Sequence, residues 1–71
     1  MKLEVMTRAG HELLAEVTDN TSEQQLKWID QQFQELRRQG YSAFTREGRR
    51  VDQFDDKIDE DLILVAPIVG G

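Results

Sequence analysis

The end of the chain carries the residues with the clearest chemical potential, Pro67-Ile68-Val69-Gly70-Gly71. A terminal carboxylate is a poor electrophile, but adenylation by ATP turns it into an anhydride that sulfide, a thiol or an amine attacks. Glycines leave the reacting carbonyl unhindered and let the backbone enter a narrow enzyme channel. Pro67 lacks an N–H and fixes its own φ, so it helps to end strand pairing. The tail therefore predicts that this chain is the substrate of a partner enzyme, which supplies the catalytic groups.

The other reactive side chains do not assemble into a recognisable site. The chain has no cysteine, which excludes disulfides, thiolate metal sites and a cysteine nucleophile. Residues 55–61 are acidic but lack the glycine and ligand spacing of a calcium loop, so we expect a solvated turn. His11 has no companion ligand in the sequence, and the arginines at 46, 49 and 50 are expected at a solvated hairpin tip. These features predict no catalytic residue and no metal site.

Length and charge favour a carrier, modifier or binding module over a self-contained enzyme. A domain of 71 residues buries only about 60% of its unfolded surface, which leaves little room for an enclosed cavity. The net charge of −5 argues against nucleic-acid binding, which depends on Lys and Arg contacts to phosphates. No segment supplies the roughly 20 apolar residues of a membrane helix, and residues 1–5 lack the apolar run of a signal peptide. We expect a soluble, cytoplasmic monomer.

The first half of the chain predicts a hairpin followed by a helix. Strands are expected over residues 3–7 and 13–17, joined by a turn at Gly10, with Leu13 and Ala15 on one face and Leu14 on the other. A long amphipathic helix is predicted over residues 22–39. Thr21 with Gln24, or Ser22 with Gln25, matches a capping box, and Gly40 matches a helix stop. The apolar stripe of this helix contains Leu26, Ile29, Phe33 and Leu36.

The second half predicts three more strands. They are expected at residues 41–45, near 50–51 and at 62–66. Phe54 and Ile58 are candidates to anchor the acidic loop between the last two. Because residues 62–66 are apolar at every position, we expect this strand to be covered on both faces.

One amphipathic helix across one mixed sheet is the smallest arrangement that buries both apolar faces. The order ββαββ(β), with four to five strands and one helix, predicts an α+β fold of the β-grasp type. The domain is expected over residues 1–66, with a flexible diglycine tail at 67–71.

The end of the chain resembles the ubiquitin-like β-grasp superfamily, in particular prokaryotic sulfur carriers and ubiquitin-like modifiers. An acidic turn at residues 59–61 and an apolar strand at 62–66 precede the proline and the diglycine. The resemblance implies an E1-like adenylating partner that uses ATP, with no cofactor bound to this chain. It implies that Gly71 is the activated residue and that Gly70, Val69, Ile68 and Pro67 thread the partner's groove. A sulfur-accepting synthase or a conjugation target would then receive the product.

Two questions stay open in the sequence. Residues 41–61 carry no motif of one branch, so a thiocarboxylate carrier and an isopeptide-forming modifier are both compatible with the tail. A noncovalent interaction module that uses its sheet, with a dispensable tail, is the alternative. Such a module could present either Ile63 and Val65 or Leu62 and Leu64.

Overall fold

The computed structural model describes residues 1–67. Its elements are β1 (Lys2–Thr7), β2 (Gly10–Glu16), α1 (Glu23–Arg38), β3 (Ser42–Thr45), β4 (Arg50–Val51) and β5 (Leu62–Val65). The predicted order ββαββ(β) is confirmed, with five strands in one sheet.

The sheet is mixed and has the order β2-β1-β5-β3-β4. The two neighbours of β5 differ, since β1 runs parallel to it and β3 antiparallel. The last strand of the chain therefore lies in the middle of the sheet. One helix packs on one face, which gives an α+β fold of the β-grasp type.

Helix α1 begins and ends at local signals. The Ser22 hydroxyl accepts a hydrogen bond from the Gln25 N–H at 3.1 Å, and the Gln25 side chain accepts one from the Ser22 N–H at 2.9 Å. Of the two predicted capping boxes, the second is therefore the one that forms. Gly40 follows the helix with φ of +98°. This left-handed conformation costs other residues about 1–2 kcal/mol, so glycine suits the position.

The core lies between α1 and the sheet. Its buried apolar residues are Leu3, Ile29, Phe33, Ala43, Leu62 and Leu64. Phe54 and Ile58 pack against it from the acidic loop, and the ring centroids of Phe33 and Phe54 are 6.2 Å apart. Of the predicted helix stripe, Ile29 and Phe33 are buried and Leu36 packs against the core, and both predicted loop anchors are confirmed.

The predicted alternation along β2 is wrong. A β-bulge interrupts the β1–β2 register, because Leu3 pairs with Ala15 whereas Glu4 pairs with Leu13. The extra residue, Leu14, has no cross-strand partner, and both Leu14 and Ala15 pack against the core. A bulge adds one residue and redirects side chains, so strict two-residue periodicity does not survive it.

The prediction that the last strand is covered on both faces is also wrong. Leu62 and Leu64 are fully buried under α1, whereas Ile63 and Val65 lie on the opposite face and remain partly exposed. No described element forms a second layer over that face. Within the described residues, only the neighbouring strands shield these two side chains. The apolar sequence of β5 therefore follows from its central position in the sheet and not from a second covering layer.

Candidate functional site

Strand β5 leads the chain from the centre of the sheet toward the predicted tail. The Ala66 N–H donates to the Met6 carbonyl at 3.2 Å, which extends the pairing with β1 by one hydrogen bond. Pro67 has no N–H to continue the ladder. Within residues 1–67, Ala66 is therefore the last residue whose N–H pairs in the sheet, directly before the predicted start of the tail.

Pro67 lies beside the C-terminus of α1. A Cβ placed on Gly40 would sit 3.4 Å from the Cβ and Cγ atoms of the Pro67 ring. The Gly40 N–H donates to the Arg37 carbonyl and the Tyr41 N–H to the Leu36 carbonyl, each at 3.0 Å. These two bonds form a Schellman motif, which fixes the loop that faces the proline.

Arg37 braces the same loop. Its Nη1 donates to the Tyr41 carbonyl at 3.0 Å, and its Nη2 lies 3.3 Å from the Asp52 carboxylate. The Arg37 side chain is only about a quarter exposed. The start of the tail thus lies against a helix end that is held by both backbone and side-chain hydrogen bonds.

The predicted tail residues divide into two groups. Pro67 is described and exposed, whereas Ile68, Val69, Gly70 and Gly71 lie outside the described residues. Their predicted roles therefore stay predictions. The proximity of Pro67 to Gly40 was not foreseen, because it depends on how β5 and α1 come together in space.

The sheet face opposite α1 is apolar near the tail. We call it the outer face, and its apolar members are Met6, Leu13, Phe44, Ile63 and Val65. Met6 pairs with Val65 and Phe44 pairs with Ile63, so four of these side chains lie together, whereas Glu4 lies between Ile63 and Leu13 and separates Leu13 from them. Leu13 is 59% exposed, which makes it the most exposed large apolar side chain among residues 1–67.

One imidazole–carboxylate contact lies within the outer face, and two ion pairs lie beside it. His11 Nδ1 lies 3.7 Å from the Glu4 carboxylate, between Leu13 and the other four apolar side chains. Arg46 lies 3.7 Å from Asp61 and Arg49 lies 3.0 Å from Glu60, just before β5 begins. The arginines of the predicted hairpin tip therefore contact the acidic loop. Such exposed pairs contribute little to stability.

Residues 1–67 contain neither a candidate metal centre nor a helix that could span a membrane. Within this range, no three His, Asp or Glu side chains gather in an arrangement that could hold a metal ion. The helix in this range is neither long nor apolar enough to cross a membrane.

Comparison with protein-family models, with curated proteins and with solved structures finds no match for this chain. The fold and the geometry near Pro67 are therefore the basis for a functional proposal. They define a small α+β protein of the β-grasp type, with an apolar outer face beside the segment that leads to the diglycine.

Proposed function

We propose that this chain is a ubiquitin-like carrier or modifier whose Gly71 carboxylate is adenylated by an E1-like partner. The activated end then carries sulfur as a thiocarboxylate or is joined to a target amine. The chain serves as the substrate of the partner, which binds the ATP and supplies the catalytic groups. The proposal requires a free carboxylate at Gly71 in the mature protein, either as encoded or after trimming. An ATP-dependent reaction of this kind fits the cytoplasm.

The observation that supports the proposal most is the position of Pro67. Strand β5 lies between β1 and β3 in the sheet, and within residues 1–67 Ala66 is the last residue whose N–H pairs with a neighbouring strand. Pro67 then lies beside Gly40 at the end of the helix. A segment that leaves the centre of a sheet at a defined position is well suited to enter the channel of another protein.

The proposed chemistry needs only the terminal carboxylate on this chain. A Gly71 carboxylate oxygen attacks the α-phosphorus of ATP, and pyrophosphate leaves. The resulting acyl-adenylate contains a carbonyl carbon that a sulfur donor or an amine attacks, with AMP as the leaving group. Attack by hydrosulfide gives a thiocarboxylate, and attack by an amine gives an amide; each step releases AMP and one proton. Glycine at this position offers the least steric resistance to both attacks.

The outer face is the proposed contact surface for the activating partner. It lies on the sheet whose central strand leads to the tail, so a partner bound there would find the tail within reach. Apolar patches with a polar border mark interaction sites more often than an even surface does. Leu13, at 59% exposed, and Ile63 are the side chains that we expect to matter most.

Pyrophosphate exchange with ATP tests the activation step. The intact chain and the organism's own adenylating enzyme should exchange labelled pyrophosphate into ATP. Deletion of Gly71, and addition of one alanine after it, should both abolish exchange because each misplaces the carboxylate. Neither change touches residues 1–67, and circular dichroism should confirm that the fold is retained. Exchange that is equal for all three proteins contradicts the proposal.

The alternative is a noncovalent module that binds partners through the outer face. The 59% exposure of Leu13 favours it independently of the tail. This alternative predicts full cellular activity after deletion of Gly70-Gly71 and loss of activity in Leu13→Asp. The carrier or modifier predicts that both changes abolish activity.

A further inference from the structure

One carboxylate lies among the apolar side chains of the outer face. Glu4 of β1 pairs with Leu13 on one neighbouring strand and with Ile63 on the other. Phe44 pairs with Ile63 in turn, so one row of the sheet holds Glu4 together with three large apolar side chains. The Glu4 side chain is only 31% exposed. The carboxylate is thus flanked by the side chains that we expect a partner to cover.

Within residues 1–67, the Glu4 carboxylate accepts no hydrogen bond. His11 Nδ1 is the one basic nitrogen of this range within 4.0 Å, and its 3.7 Å separation is too long for a hydrogen bond. Lys2 lies on the same face two residues earlier, but it stands opposite Glu16 in the register of β1 and β2. The free chain therefore leaves Glu4 to solvent for its hydrogen bonds.

A partner that covers both Leu13 and Ile63 must also cover Glu4, because Glu4 lies between them. Removal of an ionised carboxylate from water is unfavourable unless the carboxylate gains a charged hydrogen-bond partner. A partner with apolar side chains alone at this point would leave the charge unpaired. Glu4 therefore selects for a partner that places a cationic donor inside an apolar contact.

We propose that the outer face binds a partner surface that presents one arginine to Glu4. The guanidinium donates two parallel hydrogen bonds to the carboxylate, and its methylene groups pack on Leu13 and Met6. Arginine suits this position better than lysine, because a guanidinium is planar and more weakly hydrated than an ammonium. The inference rests on the proposed function, since the activating enzyme is the partner expected on this face. It makes Glu4 a specificity-determining residue of that contact.

A second copy of this chain fits the outer face less well. It could present Arg8, which lies in the exposed turn between β1 and β2 and forms no ion pair within residues 1–67. Each copy carries a net charge of −5, however, so two copies repel each other. A separate protein with a basic contact surface is attracted by the same charge, which favours it as the occupant.

Titration calorimetry of the chain without Gly71 against the organism's E1-like adenylating enzyme tests the contact in the absence of chemistry. Glu4→Gln removes the charge at nearly constant size and should weaken binding at least about tenfold. Glu4→Leu should weaken binding by a similar factor, although it makes the outer face more apolar. Glu4→Asp keeps the charge and should bind more tightly than Glu4→Gln.

Glu12→Gln is the matched control, because it removes the same charge from the same hairpin. Glu12 is exposed and pairs with Val5, which packs against the core, so it lies on the other face of the sheet from Glu4. This variant should bind within about twofold of the unchanged protein. Circular dichroism should verify that every variant is folded.

A double-mutant cycle identifies the partner group. One arginine of the enzyme should be found whose change to alanine weakens binding of the unchanged chain at least about tenfold. The same change should have little further effect on binding of Glu4→Gln, because the pair is already broken. Additive losses for every arginine tested would contradict a direct contact with Glu4.

Three further results would overturn the proposal. One is a Glu4→Leu protein that binds as tightly as the unchanged chain or more tightly, which would identify a purely apolar partner surface. The others are absence of binding to the enzyme and a concentration-dependent dimer that Leu13→Asp disrupts.

Steady-state kinetics of activation separate this inference from the proposed function. Glu4→Gln in the intact chain should raise KM at least about tenfold and leave kcat unchanged, because Glu4 is remote from the reacting carboxylate. Activation with an unchanged KM overturns this inference and leaves the proposed function standing. Binding that depends on Glu4, with no activation of the intact chain, overturns the proposed function and leaves this inference standing.

Discussion

Gly40 and Pro67 lie where the end of the helix comes close to the start of the tail. Gly40 adopts a φ that other residues avoid, and the Pro67 ring occupies the space beside it. The glycine itself was predictable, because a helix stop follows a local rule. The proline contact was not, because residues 40 and 67 meet only when β5 enters the sheet.

Gly40→Ala should lower the free energy of unfolding by about 1–2 kcal/mol, because alanine is strained at positive φ. Urea titration of the two proteins measures the difference. Gln39→Ala is the matched control, since Gln39 has φ of −77° and is exposed, and its cost should stay within about 0.5 kcal/mol. Equal costs for the two variants would contradict the role assigned to the glycine.

Secondary-structure elements follow local signals except where a strand departs from regular pairing. The helix was predicted nearly to its ends because Ser22, Gln25 and Gly40 are local signals. The faces of β2 were not predicted, because the bulge at Leu14 depends on pairing with β1. Which face of β5 is open could not be predicted either, since all of its residues are apolar.

Ser22→Ala should cost about 1 kcal/mol of stability, because it leaves the Gln25 N–H without its capping acceptor. Thermal unfolding followed by circular dichroism measures this loss. Gln24→Ala lies two positions further on, takes no part in the cap and should be nearly neutral. A Ser22→Ala protein as stable as the Gln24→Ala protein would show that the cap contributes nothing.

Alanine substitutions on the two faces of β5 should lower the free energy of unfolding by different amounts. Leu64→Ala should cost about 3 kcal/mol, because it removes a fully buried side chain and leaves a cavity under α1. Ile63→Ala, its neighbour on the outer face, should cost about 1 kcal/mol because Ile63 is partly exposed. Chemical denaturation of both variants measures these costs. A larger loss of stability for Ile63→Ala than for Leu64→Ala would contradict the assignment of Leu64 to the buried face.

At the scale of the whole molecule, the fold separates two surfaces. The outer face lies beside the segment that leads to the tail, and an open groove between β2 and the first turns of α1 lies on the helix side of the sheet. The fold class was predictable because one helix and several strands admit few two-layer arrangements. The groove was not predictable, because it depends on how β2 and α1 come together in space.

Leu13→Asp should lower kcat/KM for activation at least about tenfold while leaving the fold intact, because it places a charge in the apolar contact surface. Gln31→Asp adds the same charge to an exposed position of α1, on the other side of the sheet, and should change kcat/KM by less than about twofold. Steady-state kinetics of adenylation distinguish the two. Equal effects would mean that the outer face does not contact the activating enzyme.

The most direct test of the central claim is the intact mass of the chain after incubation with ATP, a sulfur donor or amine acceptor, and the organism's adenylating enzyme. The account predicts an acyl-adenylate, a thiocarboxylate or a conjugate whose modification fragment spectra place at Gly71. The protein that lacks Gly71 should keep its unmodified mass under the same conditions. An unmodified mass for the intact chain, or modification that persists without Gly71, would contradict the account.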